Sequence, residues 1–184
     1  MRKRFRRGVA ALPRHLPIRK AASLLAAVLI ACSVLFGAAP AAAATPPNRI
    51  CSIVLESLQP GADQSRVREQ RCSTGEAPAL TTAATTLIAT LYQDDEYEGN
   101  STRIYGVGGP CDSAGYGVHE LNENWNDRIT SFKVWNKCTW LRGYINKDYG
   151  SSCGQWANGS RNVGTRFNDK ISSFWVASVR HTCQ

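Results

Sequence analysis

Two near copies of one seven-residue motif contain the side chains of this sequence that are best suited to chemistry. The copies span residues 126–132 and 168–174, which places them 42 positions apart. Each offers a carboxylate, Asp127 or Asp169, and a hydroxyl three residues later. The two hydroxyls belong to Thr130 and Ser172. Carboxylates, hydroxyls and backbone carbonyls are the oxygen ligands that calcium takes in proteins, so the motifs predict a cation site.

A capped turn is the structural alternative for the same motifs. Asn and Asp side chains hydrogen-bond their own backbone two residues on, and a Ser-Ser pair before an apolar strand can satisfy a bend. One copy alone would leave the two interpretations open, whereas two intact copies favour cation binding. A second acidic group is better interpreted as a solvated hairpin tip than as a further cation site. It consists of Asp94, Asp95, Glu96 and Glu98.

The sequence contains few residues suited to a zinc site or a catalytic site. Six cysteines and two histidines, His119 and His181, follow position 45, and no Cys-x-x-Cys pair occurs. An even number of cysteines in an exported chain predicts three disulfides, which leaves no thiol for zinc or for nucleophilic catalysis. No Gly-x-Ser-x-Gly motif is present, and no particular carboxylate pair indicates glycoside hydrolysis, although such a pair stays open. We predict that the protein is not an enzyme.

Charge is divided unevenly along the chain. The whole sequence has 22 Lys and Arg residues against 14 Asp and Glu residues, a formal charge of +8 that suggests a nucleic-acid binder. Eight of the basic residues precede position 45, where no acidic residue occurs. The remaining 14 basic and 14 acidic residues balance, so residues 45–184 lack the cation surplus that displaces counterions from nucleic acid. We therefore predict no nucleic-acid partner.

The first 44 residues have the order of a secretory signal peptide. Residues 1–20 are basic, residues 21–37 are apolar, and residues 38–44 are small. We predict cleavage after Ala44 and a secreted protein that has no membrane contact afterwards. A membrane anchor is an alternative because 17 apolar residues reach the lower limit of a spanning helix. Lipidation at Cys32 is another, although the apolar segment after it differs from a polar tether.

Short segments rich in β-branched and aromatic residues dominate the chain after position 85. They predict strands at residues 87–92, 101–105, 129–135, 140–145 and 171–176, and hence an all-β sandwich or barrel. Residues 46–80 form a predicted hairpin or arm, and residues 77–86 a connector.

Trp125 matches Phe167 across the repeat and is predicted to be core. Trp156 lies among Gly, Asn and Ser residues and is predicted to be exposed.

The repeat extends beyond the motif itself. The same offset of 42 residues pairs Cys111 with Cys153, and four strands in such a length make one Greek key. Two keys predict a single two-sheet sandwich. An aromatic hairpin precedes each copy, with the residues Tyr92, Tyr97 and Gly99 in the first and Tyr144, Tyr149 and Gly150 in the second.

These residues resemble the βγ-crystallin family over positions 85–180. Its hairpins carry an aromatic, four residues, an aromatic, one residue and Gly, and its microbial members carry the calcium motif Asn/Asp-Asn/Asp-x-x-Ser/Thr-Ser. The calcium motif is complete twice here. The second hairpin departs from the pattern, because Ser151 stands at the glycine position. The resemblance implies an all-β, βγ-crystallin-like sandwich of two Greek keys, to which this chain adds an N-terminal disulfide-closed arm.

The resemblance also implies how each calcium site is shared between the keys. One key gives the carbonyl of the third motif residue and the fifth-position hydroxyl, and the other gives the second-position carboxylate. A carbonyl from the facing hairpin completes the protein ligands. The implied carbonyl ligands are those of Arg128, Lys170, Gln93 and Ile145. With one carboxylate per site, we expect a dissociation constant on the order of 10⁻⁵ to 10⁻³ M.

Symmetry suggests the disulfide pairing and the division of the chain. Pairing within each key, plus the arm, gives Cys51–Cys72, Cys111–Cys138 and Cys153–Cys183, although sequence alone allows 15 connectivities. We predict a signal peptide at residues 1–44, an arm and connector at 45–84, and keys at about 85–138 and 139–184.

Two functions from different classes follow. The first is a secreted, monomeric calcium-binding protein without enzymatic activity. The second is an interaction protein, since the family includes secreted inhibitors of metallopeptidases and killer-toxin-like proteins of actinobacteria. An inhibitor needs a rigid exposed loop, and the segment 106–117, which contains Cys111, is the candidate for contact with a secreted peptidase.

Overall fold

Nine strands and one short 3₁₀ helix make up the regular structure of residues 46–83 and 85–183, the ranges that the computed structural model describes. The strands are β1 (Arg49–Leu55), β2 (Val67–Thr74), β3 (Thr86–Tyr92), β4 (Ser101–Gly106), β5 (Tyr116–Val118), β6 (Ser131–Val134), β7 (Trp140–Tyr144), β8 (Cys153–Ala157) and β9 (Ser173–Ala177). The helix covers Asp95–Tyr97. Within these ranges no helix is long and apolar enough to cross a membrane. The predicted signal peptide, residues 1–44, lies outside them.

The strands form two sheets, and each key contributes a segment to the sheet of the other key. One sheet has the order β2-β1-β4-β3-β6 and the other β5-β9-β7-β8. The first key contains β3 to β6, yet its third strand, β5, pairs antiparallel with β9 of the second key. In return, Ser160 of the second key forms a bridge with Phe132 on β6. The all-β sandwich of two Greek keys predicted from the repeat is thereby confirmed.

The inner faces of the two sheets meet in one apolar core. Phe132 and Phe174, which end the two motif copies, are fully buried, as are Ile129 and Ile171. Trp125 is 2% exposed, so the prediction that it belongs to the core is confirmed.

The prediction that Trp156 is exposed is wrong. Its indole lies edge-on to Phe132 and Phe167, with ring centroids 5.8 and 5.3 Å apart. A Cβ on the neighbouring Gly154 would come within 2.4 Å of the Trp156 ring. Gly154, which the sequence suggested was part of a loop, therefore lies in strand β8 and makes room for the indole.

All three predicted disulfides are confirmed. Cys51 and Cys72 face each other across the β1–β2 hairpin, which closes the N-terminal arm as expected. The pairs Cys111–Cys138 and Cys153–Cys183 each lie within one key. The first of these two is buried in the core, whereas Cys183 is exposed.

The N-terminal hairpin extends the first sheet at its edge. Strand β1 pairs in parallel with β4 from Ile50↔Ser101 to Leu55↔Gly106, while β2 pairs antiparallel on its outer side. Val54 and Leu55 are fully buried by this docking. The sequence indicated a hairpin here but not its neighbour in the sheet.

The connector after β2 is held by one carboxylate, that of Glu69. The Thr81 N–H donates to its Oε1 at 3.0 Å, and the Thr82 N–H and hydroxyl donate to its Oε2 at 2.9 and 2.8 Å. These bonds, with the Thr81 N–H the strongest influence, lower the pKa of Glu69 from 4.5 to about 2. The carboxylate therefore ties the connector to β2 when it is ionised.

Protonation of Glu69 is expected to release the connector in acid. Because the folded pKa is depressed, the stabilisation is complete above pH 4.5 and is lost as the pH falls towards 2. Amide exchange at Thr81 and Thr82, corrected for intrinsic rates, should accelerate over that range in the unaltered protein. Glu69→Gln should show fast exchange at every pH, and Glu76→Gln, an exposed neighbour, should behave like the unaltered protein. Exchange that does not depend on pH in the unaltered protein would contradict this role.

The two aromatic hairpins have matching turns despite their different sequences. Gly99 has φ of +73° in the first hairpin, and Ser151 has φ of +64° at the corresponding place in the second. Gly150 does not adopt a positive φ. Ser151 thus takes the left-handed conformation that favours glycine, and the displaced Gly150 does not substitute for it.

Candidate functional site

The two motif loops lie side by side across the interface between the keys. The Asp127 N–H donates to the carbonyl of Ile171 at 3.2 Å, and the Asp169 N–H donates to that of Ile129 at 3.3 Å. Asp127 and Asp169 have φ of +56° and +53°. Asp tolerates this left-handed conformation better than most residues, which explains why each motif has Asp at its second position.

Each motif carboxylate reaches the hydroxyl of the opposite key. The Ser172 hydroxyl donates to Asp127 Oδ1 at 3.1 Å, and Thr130 Oγ1 lies 3.4 Å from Asp169 Oδ1. The second oxygen of each carboxylate accepts from the side-chain amide of the preceding Asn, at 2.9 and 2.8 Å. The hydroxyls are buried and the carboxylates exposed, so each pair opens towards solvent on its carboxylate side.

Four backbone carbonyls beside these pairs have no hydrogen-bond donor among the described residues. Within residues 46–83 and 85–183, no donor reaches the carbonyl oxygens of Gln93, Arg128, Ile145 and Lys170. The Thr130 N–H donates instead to Tyr92, and the Ser172 N–H to Tyr144, each one residue before the hairpin carbonyl. Because the fold leaves these four oxygens free, they are available to an ion or to water.

The grouping defines two candidate sites. We call one the Gln93 site, which consists of Gln93, Arg128, Thr130 and Asp169. We call the other the Ile145 site, which consists of Ile145, Lys170, Ser172 and Asp127. Gln93, Thr130 and Asp169 line one open depression, so the structure brings these three together.

A serine at the sixth motif position holds each hairpin in place, a role that the sequence interpretation did not assign. The Ser131 hydroxyl donates to the Asp94 carbonyl at 2.6 Å and accepts from the Tyr97 N–H at 3.2 Å. Ser173 repeats both bonds with Asn146 at 2.6 Å and Tyr149 at 3.1 Å. Each bonded carbonyl follows a predicted ligand carbonyl by one residue. The serine that occurs at this position in both motif copies is the feature of the sequence from which the role could have been predicted.

Charge around the Gln93 site is negative. Asp94 and Asp95 line the same depression as Asp169. The hairpin tip that carries them is exposed, and Glu96 there pairs with Arg161. In the second key, Lys147 pairs with Glu120 beside the corresponding tip, and this bond raises the pKa of Lys147.

The donor chemistry of both sites is that of a hard cation. Among the described residues, no group of three or more His, Cys, Asp or Glu side chains is placed to hold a metal ion. A set of one carboxylate, one hydroxyl and two carbonyls per site is instead suited to calcium, which accepts mixed oxygen ligands in loose geometry and completes its shell with water. The residues present therefore fit calcium and offer nothing to a thiophilic metal.

The loop 106–117 is held at several points. The Tyr116 hydroxyl donates to the Gly109 carbonyl at 2.9 Å, and the Trp175 indole N–H donates to the Ala114 carbonyl at 2.7 Å. The Cys111–Cys138 disulfide anchors its middle. Residues 112–114 are nonetheless exposed, so an anchored loop presents these residues to solvent.

Comparison with known proteins finds similarity among solved structures only. No protein-family model matches the chain, and no curated protein does. A βγ-crystallin domain from Clostridium beijerinckii is 26% identical, over 50% of this chain and 99% of that domain, with a TM-score of 0.39. One from Flavobacterium johnsoniae is 23% identical, over 52% and 99%, also with a TM-score of 0.39. A structure from work on the evolution of the eye-lens βγ-crystallin fold is 20% identical, over 55% and 96%, with a TM-score of 0.41.

Proposed function

We propose that this chain, an all-β protein with a βγ-crystallin-like double Greek key, is a secreted calcium-binding protein without enzymatic activity. The observation that carries the proposal is the duplicated pairing of a carboxylate from one key with a hydroxyl from the other. An ion at either place would contact both keys, so calcium would tie them together. The balanced charge after position 45 supports a protein that acts without nucleic acid.

Calorimetric titration with calcium tests this function. Two ions per chain are expected to bind, with dissociation constants on the order of 10⁻⁵ to 10⁻³ M. The purified protein should have its three disulfides formed and should first be treated with a chelator. Magnesium serves as the control, since it demands tighter octahedral geometry and gives up water reluctantly. No heat with calcium, together with no change in melting temperature, would exclude the function.

Inhibition of a secreted metallopeptidase is the second candidate function. The loop 106–117 favours this function, because an exposed segment that is already anchored by several contacts loses little conformational entropy when a peptidase binds it. Assays of a panel of secreted metallopeptidases at micromolar protein test this candidate. The absence of inhibition across the panel would remove it and would leave the calcium proposal untouched.

A further inference from the structure

The N-terminal hairpin reaches both candidate ion sites, one from each end. Its base, at Arg49, lies next to the segments that carry Gln93 and Arg128, and all three residues line one small pocket. The loop between its strands, residues 56–66, lies against the hairpin of the second key that carries Ile145. The hairpin lies outside the two repeated keys, so its contacts are additional to those between the keys.

A chain of hydrogen bonds connects Arg49 to the ligand-bearing segments of the Gln93 site. The Arg49 N–H donates to Asn100 Oδ1 at 2.6 Å, and the Asn100 side-chain amide donates to Gln93 Oε1 at 2.8 Å. The Gln93 N–H in turn donates to the Asn100 carbonyl at 3.0 Å. Gln93 is thus held through both its backbone and its side chain, which leaves its carbonyl free for an ion.

The guanidinium of Arg49 secures the second segment of the same site. It donates to Asn124 Oδ1 at 3.1 Å, and Asn124 lies four residues before Arg128. Arg49 therefore links the segment that contributes the Gln93 carbonyl to the segment that contributes the Arg128 carbonyl. The Gln93 side-chain amide also donates to the Asn124 carbonyl at 3.4 Å, so the guanidinium reinforces a direct contact between two segments whose oxygens belong to one site.

A different group of contacts joins the hairpin loop to the Ile145 site. The Tyr149 hydroxyl donates to the Asp63 carbonyl at 2.7 Å. His119 lies between two carboxylates, with Nε2 3.1 Å from Asp63 Oδ1 and Nδ1 3.1 Å from Asp148 Oδ1. Tyr149 also donates its N–H to Ser173 Oγ, which holds the carbonyl next to Ile145. The hairpin loop thus restrains the segment that carries the Ile145 carbonyl.

We infer that the N-terminal hairpin positions the ligands of both calcium sites, through Arg49 at the Gln93 site and through its contact with Tyr149 at the Ile145 site. The inference rests on the proposed calcium binding and adds the role of a segment that supplies no ligand itself. Partners that orient ligands from behind change metal affinity without touching the metal. By reciprocity, calcium binding must then strengthen the docking of the hairpin.

Amide NMR titration with calcium, in which each site has its own reporters, tests the inference. Thr130 and Asp169 report on the Gln93 site, and Ser172 and Asp127 report on the Ile145 site. Arg49→Ala, which removes the guanidinium contact with Asn124 and keeps the backbone bond to Asn100, should weaken binding at the Gln93 site on the order of tenfold and leave the Ile145 site unchanged. Tyr149→Phe, which removes only the hydroxyl, should do the reverse. A purely structural role for the hairpin would weaken both sites together and would not give this separation.

Two matched variants serve as controls. Arg68→Ala removes an exposed arginine of the same hairpin, and Tyr105→Phe removes a tyrosine hydroxyl on β4. Neither should alter either site. In the unaltered protein, calcium should also slow amide exchange in β1 and β2.

The outcomes separate this inference from the function on which it rests. If calcium binds both sites and neither Arg49→Ala nor Tyr149→Phe changes its own site, the positioning role is overturned and the function stands. If each variant weakens both sites equally, the positioning role is likewise overturned. If calcium shifts no reporter in the unaltered protein, the proposed function fails and the inference fails with it.

Discussion

Replacing both motif aspartates with asparagine, Asp127→Asn with Asp169→Asn, is expected to abolish the rise in melting temperature that calcium causes. At a calcium concentration a hundred times the dissociation constant, one occupied site adds about 2.7 kcal/mol to the free energy of unfolding. For a domain of this size, that corresponds to a shift on the order of 10 °C. With both sites occupied, the expected gain in the free energy of unfolding is about twice as large.

Asparagine is the informative replacement because of the backbone at these positions. Asp127 and Asp169 have positive φ, which Asn tolerates and Ala does not, so Asp→Ala would mix strain with the loss of a ligand. An amide still accepts from the Ser172 or Thr130 hydroxyl, which preserves the contact between the keys. The variant therefore removes charge while it keeps shape.

Scanning calorimetry with and without calcium measures the effect. Each single variant should lose the contribution of one site, and Glu76→Gln, which removes an exposed charge far from either motif in sequence, should retain the full shift. A double variant that keeps the calcium-dependent shift would show that calcium stabilises the protein elsewhere.

Loss of the buried disulfide is expected to give the second-largest effect. Cys111→Ala with Cys138→Ala opens a loop whose ends are 27 residues apart, which costs about 3.5 kcal/mol in the chain-entropy model. Both cysteines are 4% exposed, so the change also removes packed sulfur from the core. Truncation of buried groups adds a cavity contribution, and the total loss should exceed the entropic value.

The Cys153–Cys183 pair provides a matched control. Its separation of 30 residues gives nearly the same loop entropy, but Cys183 is exposed. Cys153→Ala with Cys183→Ala should therefore destabilise the protein less than the first double variant. Urea unfolding at fixed pH, with the slope compared between variants, measures both losses. An equal or larger loss for the Cys153–Cys183 variant would contradict a packing contribution from the buried pair.

Features that repeat in the sequence were predictable, because both copies obey the same packing. In the first key, strands β3, β4 and β6 begin and end within about two residues of the predicted ranges, and the pairing of Trp125 with Phe167 correctly indicates core positions. The motif positions that meet across the keys are those that the resemblance implied, Asp127 with Ser172 and Asp169 with Thr130.

Features that depend on which strand lies next to which in a sheet could not be predicted from the local sequence pattern. Strands β5 and β8 were absent from the predicted set, since one has three residues and the other contains Gly154. The parallel pairing of β1 with β4 has no local signal either, because strand propensity does not specify a partner. The same limit hid the contacts of Arg49 and Asp63, which join residues 75 and 56 positions apart in the chain.

The exchange of strands between the two keys also determines when the protein can finish folding. β5 is made early, but its partner β9 spans Ser173–Ala177, so β5 has no partner in the second sheet until the chain has been made as far as Ala177. The first key would leave β5 unpaired if synthesis stopped after β6, and unpaired strands associate with other chains. Contacts between residues so distant in sequence form slowly. Premature termination within the second key is therefore expected to yield aggregates rather than a shorter folded protein.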